Sequence, residues 1–276
     1  MRPTLGWCSW SLRPESPKEL ADRLAQTGFE YVQLALDPLR SGHFERSTTL
    51  EALARAHVKI ASGMMAMEGE DYSTLDSIRR TGGVRLDETW AANHAATREN
   101  AKLAKELGID LVTFHAGFLP HDADDPERAK LLDRLRTMID VFAEYGIHVG
   151  LETGQETAGT LLSVLRDLDR STVGVNFDPA NMILYDMGEP VSALERLAPY
   201  VRQLHFKDAV RTKVRGEWGT EVPVGTGEVD WRRLLEVVED RRIPTRFMFE
   251  REAGEDRVGD LARGLGFVKG LLDGAI

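Results

Sequence analysis

The sequence predicts an α/β fold, a single (β/α)8 TIM barrel over residues 1–276. Three observations carry this reading. Strand-like and helix-like segments alternate from end to end. Eight such units fit in 276 residues, near the ~250 typical of a closed barrel. No Gly-rich dinucleotide loop follows the first strand, which counts against an open doubly wound sheet.

The strand candidates are Thr4–Ser9, Tyr31–Leu36, Val58–Met64, Leu111–His115, His148–Glu152, Val173–Asp178, Val201–Phe206 and Arg246–Glu250. Amphipathic stretches lie between them. Pro17–Gln26 follows a Ser16 cap, has proline in its first turn and stops at Gly28. Ser47–Ala56 is a weaker helix. Glu88–Leu107 is Ala-rich and stops at Gly108; Pro126–Tyr145 stops at Gly146. Thr157–Leu168, Val191–Leu197, Trp231–Asp240 and Val258–Leu272 complete the set. No linker or low-complexity run divides the chain, so one domain is expected.

Composition narrows the function classes. No window reaches the ~18 apolar residues of a membrane span, and Met1 to Trp10 lacks the apolar stretch of a signal peptide. Cys8 is the only cysteine, which excludes an internal disulfide and fits a cytoplasmic location. With 45 acidic against 35 basic residues, nucleic acid is not an expected partner, because phosphate affinity comes from clustered Lys and Arg.

Side chains alternate between the two faces of a strand. In the fifth strand Val149 and Leu151 oppose Gly150 and Glu152; in the sixth Val173, Val175 and Phe177 oppose Gly174, Asn176 and Asp178. In the seventh Leu204 and Phe206 oppose Gln203 and His205; in the eighth Phe247 and Phe249 oppose Arg246, Met248 and Glu250. The apolar face suits a ring of helices. The polar face predicts a solvated site, since a plain barrel interior is packed with branched apolar residues.

Glu152, Asp178, His205 and Glu250 fall at or beside the ends of their strands, where barrel active sites lie. Three carboxylates and an imidazole suit one hard or borderline divalent ion: Mn²⁺ first, with Mg²⁺, Co²⁺ or Zn²⁺ as alternatives. The competing reading has these acids capping loops or pairing with Arg246, Arg251 and Lys207.

The segments GLETGQE, GVNFDPAN, LHFKD, VPVGTGEVDW and FMFERE resemble the xylose-isomerase-like barrels. Within these, the chain looks like the sugar isomerase/epimerase group of ketose 3-epimerases, hydroxypyruvate isomerases and inosose dehydratases. The resemblance implies one divalent metal held by Glu152, Asp178, His205 and Glu250. It also implies that Glu152 and Glu250 move protons on opposite faces of the substrate, and that Arg211, six residues after the histidine, contacts substrate. Two positions depart from the pattern. Asn181 stands where several relatives have His, and Ala158 where ketose 3-epimerases tend to have Glu, with Glu156 two residues earlier; Asn181 and Glu156 are candidate substrate contacts. The related apurinic endonucleases need several more His ligands; His115 resembles one survivor of that set.

His115 has inward parity and is a candidate substrate contact or a core histidine. Trp10 could stack on a sugar face. Lys207 could bond a substrate oxygen or neutralise Glu250. Arg211, Lys213 and Arg215 form a basic loop able to clasp a phosphate or carboxylate. Trp90 and Trp218 are read as loop residues of a lid. Together these readings predict a metal-dependent isomerase or epimerase. It would abstract a proton beside a carbonyl through a metal-stabilised enediolate, on a small sugar or keto-polyol. A dehydratase or other lyase sharing that first step, and a non-catalytic sugar- or metal-binding barrel, are the alternatives. Homo-oligomerisation stays open.

Overall fold

The computed structural model describes residues 3–214, 216–244 and 246–274. Ten strands are present in the described residues: β1 (Thr4–Cys8), β2 (Tyr31–Ala35), β3 (Lys59–Met64), β4 (Leu111–Phe114), β5 (His148–Glu152), β6 (Val173–Phe177), β7 (Val201–Phe206), β8 (Asp208–Val210), β9 (Thr220–Val222) and β10 (Arg246–Phe249). Eight of them, β1 to β7 and β10, close into a parallel barrel. The antiparallel pair β8–β9 forms a hairpin after β7.

The helices are α1 (Pro17–Thr27), α2 (Asp37–Arg40), α3 (Arg46–Arg55), α4 (Leu75–Thr81), α5 (Asp87–Glu106), α6 (Pro126–Glu144), α7 (Ala158–Leu168), α8 (Pro179–Leu184), α9 (Pro190–Leu197), α10 (Trp231–Asp240) and α11 (Arg257–Leu272). Local chemistry sets their starts. Ser16 accepts from the Glu19 N–H, and Asp125 accepts from Glu127 ahead of Pro126. Such caps satisfy donors that the first turn leaves free.

The predicted parity holds. Val149, Leu151, Val175, Phe177, Leu204, Phe206, Phe247 and Phe249 are all buried. The Phe206 ring centroid lies 4.9 Å from Phe249 and 4.6 Å from Trp231 of α10, so the barrel wall and helix ring share one aromatic core. The inward face differs from the expectation of a solvated interior. Gln33, Ser62, Thr113, Asn176 and Gln203 are wholly buried and bonded to one another. Ser62 Oγ donates to Gln203 Oε1 at 2.7 Å, and Gln33 Nε2 donates to Thr113 Oγ1 at 2.7 Å. Buried amides are tolerated because each finds a partner. This closed polar layer is the floor beneath the strand ends.

Two glycines fix the rim at β4. Gly83 and Gly117 have positive φ, 66° and 89°. A Cβ on Gly83 would collide with the Ala116 carbonyl, and one on Gly117 with the Gly82 carbonyl. The turn after α4 therefore packs backbone to backbone against the segment that follows His115.

Candidate active site and metal centre

Strand register brings the four predicted ligands together. Glu152 ends β5 level with Asn176, and His205 lies on β7 level with Met248. The Glu250 N–H extends the ladder to the Phe206 carbonyl at 3.0 Å. Asp178 follows β6, where its N–H donates to Thr153 Oγ1 at 2.8 Å; its Oδ1 caps α8 by accepting from the Asn181 N–H at 2.9 Å.

From His205 Nδ1, Glu152 Oε1 is 3.5 Å away, Asp178 Oδ2 3.6 Å and Glu250 Oε2 3.4 Å. All four donor atoms lie within 4.8 Å of one another and are buried. Tetrahedral donors ~2.1 Å from an ion sit roughly 3.4 Å apart. Asp178 Oδ2 and His205 Nδ1 are buried with no hydrogen-bond partner. Orphaned polar atoms are rare in protein interiors, and two facing each other among carboxylates fit a cation between them. The cluster could hold a metal ion.

The other nitrogen of His205 meets the polar floor. Nε2 lies 2.9 Å from Gln33 Oε1 and 3.0 Å from Asn176 Nδ2. In the neutral ring a proton on Nε2 directed at Gln33 would leave the Nδ1 lone pair for an ion, the tautomer that a metal-binding histidine requires.

The ionisation states follow from the surroundings. For Glu250, burial works against the charge, but Lys207 and His205 outweigh it and hold the carboxyl well below the usual range. For Glu152, burial is again outweighed, by His205 and His115, and the net direction is down. Asp178 goes up, with burial dominant. His205 and Lys207 are both raised well above normal; burial opposes the charge and neighbouring carboxylates win. Burial pushes the Cys8 thiol beneath the site up to about 12.

A cavity of about 420 Å³ opens above this cluster. Of the predicted substrate residues, Trp10, His115, Asn181 and Lys207 line it. Trp10 Nε1 donates to Glu250 Oε1 at 2.6 Å. His115 Nε2 lies 3.6 Å from Glu152 Oε1. Asn181 Nδ2 donates to Glu152 Oε1 at 3.1 Å, while its Oδ1 accepts from Lys207 at 3.2 Å. Arg211 does not join them. It turns to the carboxylate of Asp186 and the carbonyl of Gly188. Arg215 lies outside the described residues, and Trp90 sits within α5, stacked on His94 rather than on a loop. Trp218 does line the cavity, edge-on to Tyr185.

Sequence reasoning missed Glu70, Tyr72, Glu221 and Glu252, which also line the cavity. Glu252 had a signal: it continues the alternation of Arg246, Met248 and Glu250. Glu70 had none, since it is placed by the Gly83 N–H of a distant turn, at 2.8 Å. Asp208 of the HFKD segment is structural. Its carboxylate accepts from Gly225 N, Val229 N and Trp231 Nε1, which ties the VGTGEVDW turn to the barrel.

Glu156, expected as a substrate contact, is instead buried outside the cavity lining, and its Oε1 has no partner. Burial alone raises its carboxyl from the ordinary 4.5 to about 8. The native protein therefore holds a proton that the unfolded chain releases. That contribution is full below the unfolded value and is lost as pH rises toward about 8. Glu156→Gln is expected to raise Tm by several degrees at alkaline pH and to change it little in mild acid. A thermal-melt series across pH checks this; equal shifts at both ends contradict it.

The closed eight-stranded parallel barrel, with carboxylates and a histidine clustered at its strand ends, defines a TIM barrel whose cluster could hold a metal ion. A model of the xylose isomerase-like TIM barrel family matches residues 21–271, and the chain belongs to that family. Its fold matches a xylose isomerase domain protein from Planctomyces limnophilus at TM-score 0.84 and 31% identity, covering 92% of each chain. It also matches a D-allulose 3-epimerase from Methylomonas sp. at TM-score 0.73 and 17% identity, over 98% of each chain; this likeness is one of fold. A 3-dehydroshikimate dehydratase from Bacillus anthracis is 27% identical over 92 residues, 32% of each protein. The chain spans less than half the length of the curated relatives it matches. The proteins it resembles thus include an epimerase, by fold, and a dehydratase, by sequence. No described helix is long and apolar enough to cross a membrane.

Proposed function

We propose that the protein is a divalent-metal-dependent isomerase or epimerase of a small sugar or keto-polyol. One observation carries the reading: Asp178 Oδ2 and His205 Nδ1 face each other unpartnered at the cavity floor, flanked by Glu152 and Glu250. Glu152, Asp178, His205 and Glu250 would hold Mn²⁺ or a similar ion, which when bound polarises a carbonyl oxygen as a Lewis acid. Glu152 ends β5 and Glu250 directly follows β10, so the two would reach a bound carbon from two sides. Either removes the proton beside the carbonyl; return by the other gives the epimer, and return to the neighbouring carbon gives the isomer. Asn181 bridges Glu152 and Lys207 and holds the two halves of the site in register.

A second reading, dehydratase or other lyase, draws support from His115. Its imidazole stands beside Glu152 on the cavity wall, where it can give a proton to a departing hydroxide. Both readings predict solvent deuterium entering a keto-sugar beside its carbonyl in the presence of Mn²⁺. NMR of a sugar panel reads this, and also separates epimer from dehydrated product. Absence of exchange from every keto-sugar and inosose tested rejects both.

A further inference from the structure

Resting on that reading of the cavity, we propose that the site selects an uncharged polyhydroxylated substrate and rejects sugar phosphates and sugar acids. Five carboxylates line the cavity: Glu70, Glu152, Glu221, Glu250 and Glu252. Among the described lining residues, Lys207 is the one lysine or arginine. It is buried and fully used. Its ammonium bonds Glu252 Oε2 at 2.6 Å, Glu250 Oε2 at 3.0 Å and Asn181 Oδ1 at 3.2 Å. A lysine has three protons to give, so none remains for a phosphate or carboxylate.

Among the described residues the other nearby cations, Arg211, Lys213, Arg251 and Arg257, lie outside the cavity lining. Arg251 is buried between Glu221 and Asp260, at 2.7 and 2.9 Å. Arg211 faces Asp186 away from the cavity, and Lys213 is exposed outside its lining. His115 leans on Glu152. The N-terminus of α8, which would otherwise favour an anion, is closed by Asp178.

The charge balance points the same way. A divalent ion and Lys207 together cancel the three carboxylates of the candidate metal centre. Arg263 also pairs with Asp260, which leaves Arg251 to balance Glu221. Glu252 remains on the wall with only a share of Lys207. A phosphate or carboxylate within a few ångströms of such an uncompensated acid is repelled enough to lose about 100-fold in affinity or more. Trp10, Tyr72, Phe114, Tyr185 and Trp218 supply aromatic faces for the C–H faces of a neutral sugar.

The test uses the full chain loaded with Mg²⁺ and reads quenching of its tryptophan fluorescence, since Trp10 and Trp218 border the cavity. The probes are free ketoses (D-fructose, D-allulose, L-ribulose), their terminal phosphates, and the matching keto-acids. At least one free ketose should bind about 100-fold tighter than its phosphate or acid. Glu252→Gln keeps the shape and removes one negative charge from the wall, so it should narrow that gap by about 10-fold. A phosphate or acid that binds as tightly as the free sugar overturns the proposal. So does a panel in which no free ketose binds, or a gap that Glu252→Gln leaves unchanged. Deuterium exchange run in parallel keeps the two readings apart. Selective binding without exchange removes the catalytic reading and leaves charge selection standing; exchange with equal affinity for anions does the reverse.

Discussion

Glu152→Gln is expected to cut turnover by about 10²–10⁴ at saturating divalent ion, the range that general acid–base catalysis is worth. Glutamine keeps the shape and one oxygen ligand but cannot accept the proton. The two glutamates are not equivalent bases. Glu152 is held by neutral donors, Asn176 Nδ2 at 3.0 Å and Asn181 Nδ2 at 3.1 Å. Glu250 is held by the Trp10 N–H and the Lys207 ammonium, at 2.6 and 3.0 Å. Both carboxyls lie below the ordinary range, Glu250 by far the more. A carboxylate bonded to a cation is the weaker proton acceptor, so abstraction is faster at Glu152 than at Glu250. Each variant should therefore lose net conversion yet keep solvent exchange from one epimer: Glu250→Gln from the epimer whose proton faces Glu152, and Glu152→Gln, more slowly, from the other. NMR of recovered substrate in D₂O separates the cases. Near-normal turnover by both variants with the ion bound would falsify the two-glutamate mechanism. His115 would then be the base to test, because Lys207 has no free acceptor site and its protons are all engaged.

Some parts of this architecture were legible from the sequence because one rule governed each of them. β5 and β7 match their predicted bounds residue for residue, His148–Glu152 and Val201–Phe206. Alternation is strict in β5 and holds from Gln203 to Phe206 in β7. The four clustered donors could be found because a barrel sends every strand end to the same face, so parity and position sufficed. The short helix α8 went unread. All six of its residues are buried, so Pro179–Leu184 shows no polar face and no helical period. The hairpin β8–β9, three residues a side, is too short to show a strand period. Arg211 has the spacing of a substrate contact. Its direction is set by Asp186, a residue far away in sequence whose position only the folded chain fixes. Glu70 is a loop residue held in the same way, by the Gly83 N–H at the backbone contact between Gly83 and Gly117, and no local pattern encodes it.

Asp178→Asn is expected to weaken divalent-ion binding by at least about 100-fold, since even partners one step removed from a metal are worth 10–100-fold. The stability consequence is the sharper test. An ion at about 100 times its Kd adds about 2.7 kcal/mol to the native state. In a chain of this size that is a Tm shift of about 5–10 °C, which chelation of the wild type should remove. Chelation should hardly move the variant. Without the ion, moreover, the variant should melt above the wild type. Asp178 is wholly buried, its carboxyl is already pushed up by burial, and Oδ2 faces Glu152 and Glu250 across the cluster with no donor of its own. Asparagine keeps an oxygen for the Asn181 N–H that Oδ1 now accepts. It puts an N–H₂ where the unpartnered oxygen stood, turning a repulsion among acids into a hydrogen bond. The order of the four melting points is therefore fixed: loaded wild type first, the variant with or without ion next, chelated wild type last. If chelation shifts wild type and variant equally, the ion that matters binds elsewhere and the strand-end cluster is held together by His205 and Lys207 alone.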